Sequence, residues 1–345
     1  MQKVAVITCF SYLGNKKYVF NPEYLRSDLR RIVSFSHNKV GCPLDRIYVL
    51  TDIRPSDRIR KEILDDFQTA VKAELQIPRE VLRSSQKHEG RPLDWLRSLT
   101  QKIEPRRPHH LYGRLLRQIL PVIRSSSVVE FASLFTNLII ISGENEYRTA
   151  LESIFRLPMT HLFFYYTGHG IRAWPGVCLL IPRSGQVDLQ SRKVLQTLFQ
   201  RILGNLDALI VFDCCHAEGL IDLPYKTTFT SYPTRPGTGQ EVKGEVIYLS
   251  STLSDQTCGF YTSGNEHGSL YTYYLIKFLE SITNRQPVQL SQLKSQVEDP
   301  IRQYRKRQMK PPQNMLIGLS NEQIEHLPSW LFERSVRGLE LIEAE

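Results

Sequence analysis

The sequence predicts an α/β protein built on a mostly parallel sheet of about six strands with helices on both faces. Three observations lead there. Apolar runs of strand length, among them residues 162–166 and 209–212, alternate with stretches whose apolar residues recur at helical spacing. Two of the runs end abruptly in reactive or glycine residues, Thr167-Gly-His-Gly170 and Asp213-Cys-Cys-His216, as strands do at the carboxyl edge of an open α/β sheet. The composition, 41% hydrophobic and 23% charged over 345 residues, is that of a globular chain able to bury a large core.

Residues 3–10 read as a first central strand. Asn21-Pro22-Glu23 is a helix start, with a capping side chain, a proline at the first position and then an acid. Leu25, Leu29, Ile32 and Val33 follow on one face and leave Arg30 and Arg31 on another. A second strand covers 46–51 and a second helix 58–73. From about 78 to 127 the rhythm changes. Leu93, Leu96, Leu99 and Ile103, then Leu111, Leu115, Ile119 and Ile123, are amphipathic at helical period, with Pro105, Pro108 and Gly113 interrupting. Eleven Lys or Arg against four Asp or Glu lie between Arg79 and Arg124, most of the net charge of +9. A basic helical insertion is therefore expected. It serves either as a solvated cover over a sheet edge or as a docking surface for an acidic partner, an anionic membrane or nucleic acid.

Beyond it come a strand at 138–142 and a helix carrying Tyr147, Ala150, Leu151 and Ile154 inward. The histidine-bearing strand, a short strand at 177–182, a helix at 191–203 and the cysteine-bearing strand at 207–213 follow. Residues 222–243 hold three prolines and two glycines and are expected to form an exposed, mobile loop. A strand at 246–250, helices at 270–282 and 290–307 and a last strand at 315–318 complete a catalytic domain spanning 1–320. Residues 321–345, with six acids against Arg334 and Arg337, form an acidic C-terminal extension.

No stretch is apolar enough for a membrane span, since 128–141 is interrupted by Glu130, Ser133 and Asn137. The N-terminus runs straight into a strand pattern without the features of a signal peptide. Six cysteines without a CxxC pair suit a reducing, cytoplasmic setting.

The two strand ends carry the chemistry. A thiol with its unperturbed pKa of ~8.5 is mostly protonated at neutral pH, and only the thiolate attacks. An imidazole brought beside it favours ionisation and then protonates the departing amine. His169 and Cys215 are the catalytic candidates, with the backbone N–H groups of Gly170 and Cys215 as oxyanion donors. Cys9, Cys42, Cys178 and Cys258 read as packing residues, Cys214 as core and His216 as either structural or a residue of the rim. No metal site is expected, because three consecutive residues, 214–216, do not converge on one tetrahedral ion.

Tyr166-Thr-Gly-His-Gly170 followed by Asp213-Cys-Cys-His216 resembles the paired signature of the caspase-like peptidases, and within them the metacaspase motifs Y-S-G-H-G and D-x-C-H-S-G. Weaker similarity continues at Ala5-Val-Ile, Asp28-Leu-Arg-Arg-Ile, Tyr48-Val-Leu-Thr-Asp52 and Ser250-Ser-Thr-Leu-Ser-Asp-Gln-Thr257. The resemblance covers roughly 1–75 and 130–320. It implies a caspase-type three-layer sandwich, a dyad of His169 and Cys215, and cleavage of protein or peptide substrates. It also implies a specificity pocket lined by Asp213, Asp28 and Thr167, whose carboxylates favour Arg or Lys before the cut. Lys226, Arg235 and Lys243 are then candidate self-cleavage positions in the 222–243 loop of a zymogen. Ala217-Glu218 stands where the family has Ser-Gly. No cofactor is implied, and calcium activation is not expected, because 171–187 lacks the acidic cluster that follows the histidine motif in calcium-dependent metacaspases. Two other functions fit the sequence: a catalytically silent scaffold of the same fold, and a nucleic-acid-binding protein acting through 78–127.

Overall fold

The computed structural model describes residues 2–56, 136–174, 176–204, 206–228, 231–236, 243–263, 266–282 and 287–332, with isolated positions between 57 and 135. The chain divides into two compact units, Met1–Ile53 with Ile139–Arg334, and Arg54–Leu138 with Ser335–Glu345. The helix expected at 58–73, the basic insertion at 78–127 with its expected partners, and residues 333–345 lie outside the described residues, isolated positions apart. In the second unit Leu96, Leu99 and Ala132 are buried, and the Thr136 N–H donates to Ala132 O at 3.0 Å.

The first unit holds the sheet. Strands β1 (Lys3–Cys9) and β2 (Ile47–Thr51) flank helix α1 (Pro22–Asn38). Strand β3 (Asn137–Ile140) leads into α2 (Glu144–Phe155), and β4 (His161–Thr167) into the short strands β5 (Gly170–Ala173), β6 (Gly176–Arg183) and β7 (Gln186–Ser191). After α3 (Arg192–Leu203) come β8 (Asp207–Asp213), β9 (Tyr225–Thr228), β10 (Ser231–Pro236) and β11 (Val246–Ser250). Strands β12 (Phe260–Ser263) and β13 (Glu266–Ser269), helices α4 (Leu270–Ser281) and α5 (Asp299–Arg307), and β14 (Leu316–Leu319) complete the unit.

The central sheet has the order β10-β9-β14-β11-β8-β4-β1-β2-β3. β2, β1, β4, β8 and β11 are parallel neighbours, and β14, β9 and β10 are added antiparallel. The sheet is larger than the expected six or so strands: β3 is the strand expected at 138–142, and β9 and β10 extend the opposite edge. That extension corrects the loop expected at 222–243. Strands β9 and β10 form a hairpin there, with Arg235 opposite Lys226 and Lys226 opposite Gly318. Its prolines are tolerated because β10 is an edge strand, where a missing N–H breaks no ladder. The strand expected at 177–182 is β6, which lies not in the central sheet but in a separate antiparallel sheet β5-β6-β7 that leaves the end of β4.

Alternation along the strands sorts the core into two layers. Val6, Phe164, Tyr166, Ile210, Phe212 and Tyr248 pack in one cluster with Tyr147, Leu151 and Ile154 of α2 and Leu195 and Leu198 of α3. The other face meets α1 and α4: Phe163 lies edge-on to Phe35, and the Tyr165 hydroxyl bonds Thr272. Helix α1 starts as its sequence demands, with Asn21 Oδ1 accepting from the Glu23 N–H at 3.0 Å. Residues 321–332 pack on the unit rather than leaving it. Trp330 and Leu331 are buried, and the Trp330 carbonyl accepts from the buried Lys3 ammonium. No helix among the described residues is long and apolar enough to cross a membrane.

Strand order decides where a ligand fits. From β1 the chain steps outward to β2, whereas β4, β8 and β11 step the opposite way. The connections leaving β1 and β4 therefore diverge, and a crevice opens between them at the carboxyl ends.

Candidate active site

Three strand tips end in register. Cys9 pairs with Thr167 and Thr167 with Asp213, so His169 and Cys215 each stand two residues past paired positions on adjacent strands. The approach beyond the ladder is close: a Cβ on Gly170 would lie 2.1 Å from the Cys215 carbonyl oxygen. Only glycine permits that contact, which brings together the two residues whose amides are the candidate oxyanion donors.

His169 is held by the connection after β1. Its Nε2 lies 2.8 Å from the Tyr18 carbonyl oxygen. A carbonyl only accepts, so Nε2 carries the proton and Nδ1 keeps a lone pair. The ring stacks on Phe20 with centroids 4.0 Å apart and has Tyr12 at 4.9 Å and Tyr18 at 5.5 Å. The Tyr12 hydroxyl accepts from the His169 N–H at 2.8 Å, and Tyr12 itself takes a left-handed backbone conformation (φ 57°). Burial among these rings pushes the His169 pKa below its ordinary value, against the pull of the Tyr18 carbonyl. The ring is thus neutral at pH 7 and able to accept a proton.

Cys215 is half-buried, and its Sγ lies 3.6 Å from Cys258 Sγ. Hydrogen bonding from the Cys258 thiol, helped by the Cys258 backbone N–H, holds the Cys215 pKa down at about 7 against burial and the Asp213 charge. Among the described residues no hydrogen bond joins His169 to Cys215; such bonds often tighten only when substrate arrives. The segment that presents Cys258 is tied to the strand tip it faces. His216, in a left-handed conformation (φ 58°), donates its N–H to Gln256 O and pairs Nδ1 with Ser254 O at 2.8 Å. Thr252 Oγ1 donates to Cys214 O, and Glu218 accepts from the Ser254 N–H at 2.8 Å. The Ala217-Glu218 pair, unlike the family's Ser-Gly, therefore anchors the rim. Cys214 points into the core, and Cys9, Cys42 and Cys178 are also buried.

Asp213 and Asp28 are both buried on the α1/α4 face. Asp213 Oδ2 accepts from Thr272 Oγ1 at 2.6 Å and Oδ1 makes no hydrogen bond of normal geometry among the described residues, although the side chains of Ser269 and Ser251 also draw the carboxyl's pKa down. Asp28 accepts from the Ser269 N–H at 2.9 Å and from Arg31 at 3.4 Å. Burial raises the pKa of both carboxyls, and the Asp213 charge raises Asp28 further. Thr167 is buried in the strand row between Cys9 and Asp213. Of the candidate self-cleavage positions, Lys226 and Arg235 face each other in the edge hairpin, and Lys226 pairs with Asp222 at 2.7 Å; Lys243 is exposed and outside any strand. No cluster of three or more His, Cys, Asp or Glu suited to a metal ion occurs among the described residues.

Sequence reasoning missed Tyr18, Phe20 and Cys258. An aromatic cluster in the connection leaving the first strand, at the point where strand order reverses, was the available signal for the first two. For Cys258 it was position, directly after the Asp-Gln-Thr stretch at a later strand end.

The family model of the caspase domain matches residues 147–318, which contain His169 and Cys215. Metacaspase-2 of Trypanosoma brucei brucei is 28% identical over 118 residues, covering 28% of this chain and 33% of that protein. A protein named inactive metacaspase-4 from the same organism is 26% identical over 144 residues, covering 34% and 40%. The matches thus span about a third of these relatives' length. Among solved structures, caspase-1 from Spodoptera frugiperda aligns with a TM-score of 0.44 at 7% identity, covering 95% of this chain and 89% of that one. Residues 147–318 thus carry a caspase domain of the cysteine peptidases, and over about a third of its length the chain is similar to metacaspases.

Proposed function

We propose that the protein is a cysteine endopeptidase that cuts after Arg or Lys with Cys215 as nucleophile and His169 as base and acid. The observation that carries this reading is that His169 and Cys215 each stand two residues past the paired tips of β4 and β8, with the histidine's Nε2 spent on the Tyr18 carbonyl. The Cys215 thiol gives its proton to His169 Nδ1, and the sulfur attacks the scissile carbonyl carbon. The resulting oxyanion takes hydrogen bonds from the N–H groups of Gly170 and Cys215. Collapse breaks the C–N bond as the imidazolium protonates the departing amine. Water, deprotonated by the same imidazole, then attacks the thioester, and the acid product leaves with the thiol restored.

Specificity rests on Asp213 and Asp28. A buried carboxylate oxygen without a hydrogen bond of normal geometry is costly, and a substrate guanidinium or ammonium would supply both the hydrogen bond and the opposite charge. The reading requires no calcium, since 171–187 offers no carboxylate to hold a hard cation. The second reading, a silent scaffold, is favoured by one observation: a relative at similar identity is named inactive.

One assay separates them. Fluorogenic peptides ending in Arg, Lys or Asp are offered to the wild type and to Cys215→Ala, with and without calcium. Arg and Lys peptides are expected to be cut equally in both buffers, and Cys215→Ala to be at least about a thousandfold slower. Preference for the Asp peptide would overturn the pocket assignment, and turnover of none would establish the scaffold.

A further inference from the structure

The peptidase reading leaves Cys258 with no catalytic step, yet its sulfur lies 3.6 Å from that of the nucleophile. A disulfide needs the two sulfurs at about 2.05 Å, a further approach of about 1.6 Å. Cys258 lies outside regular structure, in the connection just before β12, where side-chain rotation disturbs no ladder. Both ends of that connection are fixed. Gln256 O accepts from His216, and Gly259 donates to Gln313 Oε1 at 2.9 Å while its carbonyl accepts from Leu270. The thiol is therefore delivered to the same place in every molecule.

We propose that Cys215 and Cys258 form an oxidative modification site, in which a hydroperoxide converts the two thiols into an intramolecular disulfide that masks the nucleophile. The inference rests on Cys215 being the reactive thiol of the proposed function, but not on peptide cleavage itself. In the first step the Cys215 thiolate attacks the peroxide oxygen and the O–O bond breaks. Cys215 becomes a sulfenic acid, and the departing oxygen takes a proton to leave as water or an alcohol. In the second step Cys258 sulfur attacks Cys215 sulfur. The S–S bond forms, the S–O bond breaks, and hydroxide leaves as water with the Cys258 proton. Two thiols are oxidised, one peroxide is reduced, and the balance is closed.

The surroundings select this pair. Cys9 and Cys214 are pushed far up by burial, and burial also raises Cys42, to about 12, and Cys178. None of these competes for the oxidant. Cys215 is half-buried, so a small peroxide can reach it. Cys258 is held protonated by its hydrogen bond to the Cys215 sulfur. Loss of the neighbouring negative charge on conversion to the neutral sulfenic acid removes that restraint when Cys258 must attack. Cys214 adjoins Cys215 in sequence but is packed in the core cluster on the opposite side of the strand.

The test is peptide mapping of the full chain under non-reducing conditions after stoichiometric hydrogen peroxide. Wild type and Cys214→Ser are expected to give a linked peptide pair containing residues 215 and 258, and Cys215→Ser none. In Cys258→Ser the same exposure is expected to leave Cys215 as sulfinic acid, about tenfold more than in the wild type and not recovered by dithiothreitol. Absence of the linked pair from the wild type would overturn the proposal, and the wild-type map needs no variant to fold. Persistence of the link in Cys215→Ser would overturn it too, as would equal sulfinic acid with and without Cys258. Each readout is a mass, so a protein that forms the link but cuts no peptide would defeat the peptidase reading alone.

Discussion

At the scale of single residues, the site is a matter of where two protons sit. The Tyr18 carbonyl fixes the proton of His169 on Nε2, and burial keeps that ring neutral. The Cys258 thiol and N–H favour the charged form of Cys215 and hold it at about 7. A donor to a thiolate lowers its pKa, so removing the donor raises it. The rate of alkylation of Cys215 by iodoacetamide is therefore expected to climb with pH through a midpoint of about 7 in the wild type. In Cys258→Ala the midpoint should move up by about one unit, towards the ordinary thiol value. An unchanged midpoint in that variant would show that Cys258 has no electrostatic hold on the nucleophile.

At the scale of elements, the strands were legible wherever burial on both faces wrote a continuous apolar run, as in β1, β4, β8 and β11. The capped start of α1 and the inward stripe of α2 were legible for the same reason: their chemistry is local. The edge hairpin was not, because Pro233 and Pro236 in an edge strand look like loop residues until the neighbouring strand is known. The tips of β4 and β8 carried His169 and Cys215 in recognisable motifs. Their partners come from connections distant in sequence, and a backbone carbonyl such as that of Tyr18 leaves no mark on composition. What the elements require can be tested at Gly170. A methyl group there would sit 2.1 Å from Cys215 O, so Gly170→Ala must part the tips of β4 and β8. Peptidase kcat/KM should fall at least about a hundredfold, because a displacement of about 1 Å between reacting groups costs that much. Gly176→Ala, where nothing lies within 4 Å, should leave it unchanged. Equal activity in the two variants would mean that the close contact at residue 170 does not align the dyad.

At the scale of the whole molecule, two carboxyls buried close together are a stability liability when they ionise. Asp213 and Asp28 are buried together with raised pKa values, and Asp213 Oδ1 makes no hydrogen bond of normal geometry among the described residues. A carboxyl whose folded pKa lies above its unfolded value favours the folded state most when protonated. That advantage is full below the unfolded value of about 3.9 and is lost as pH rises towards the folded pKa. At neutral pH the unfolded chain holds the ionised form more easily, so the folded protein carries the cost. Asp213→Asn keeps the shape and removes the charge. It is expected to raise the thermal midpoint at pH 7 by about 2–4 °C, with a smaller gain at pH 4. The same variant should lose at least about tenfold in kcat/KM for Arg peptides, mostly through KM, because the charge that recognises the guanidinium has gone. Calorimetry at the two pH values, set beside the kinetics, reads both effects in one protein. A variant that is less stable at pH 7 than the wild type would mean that Asp213 is a structural anchor satisfied by Thr272, and that the substrate's positive charge is met elsewhere.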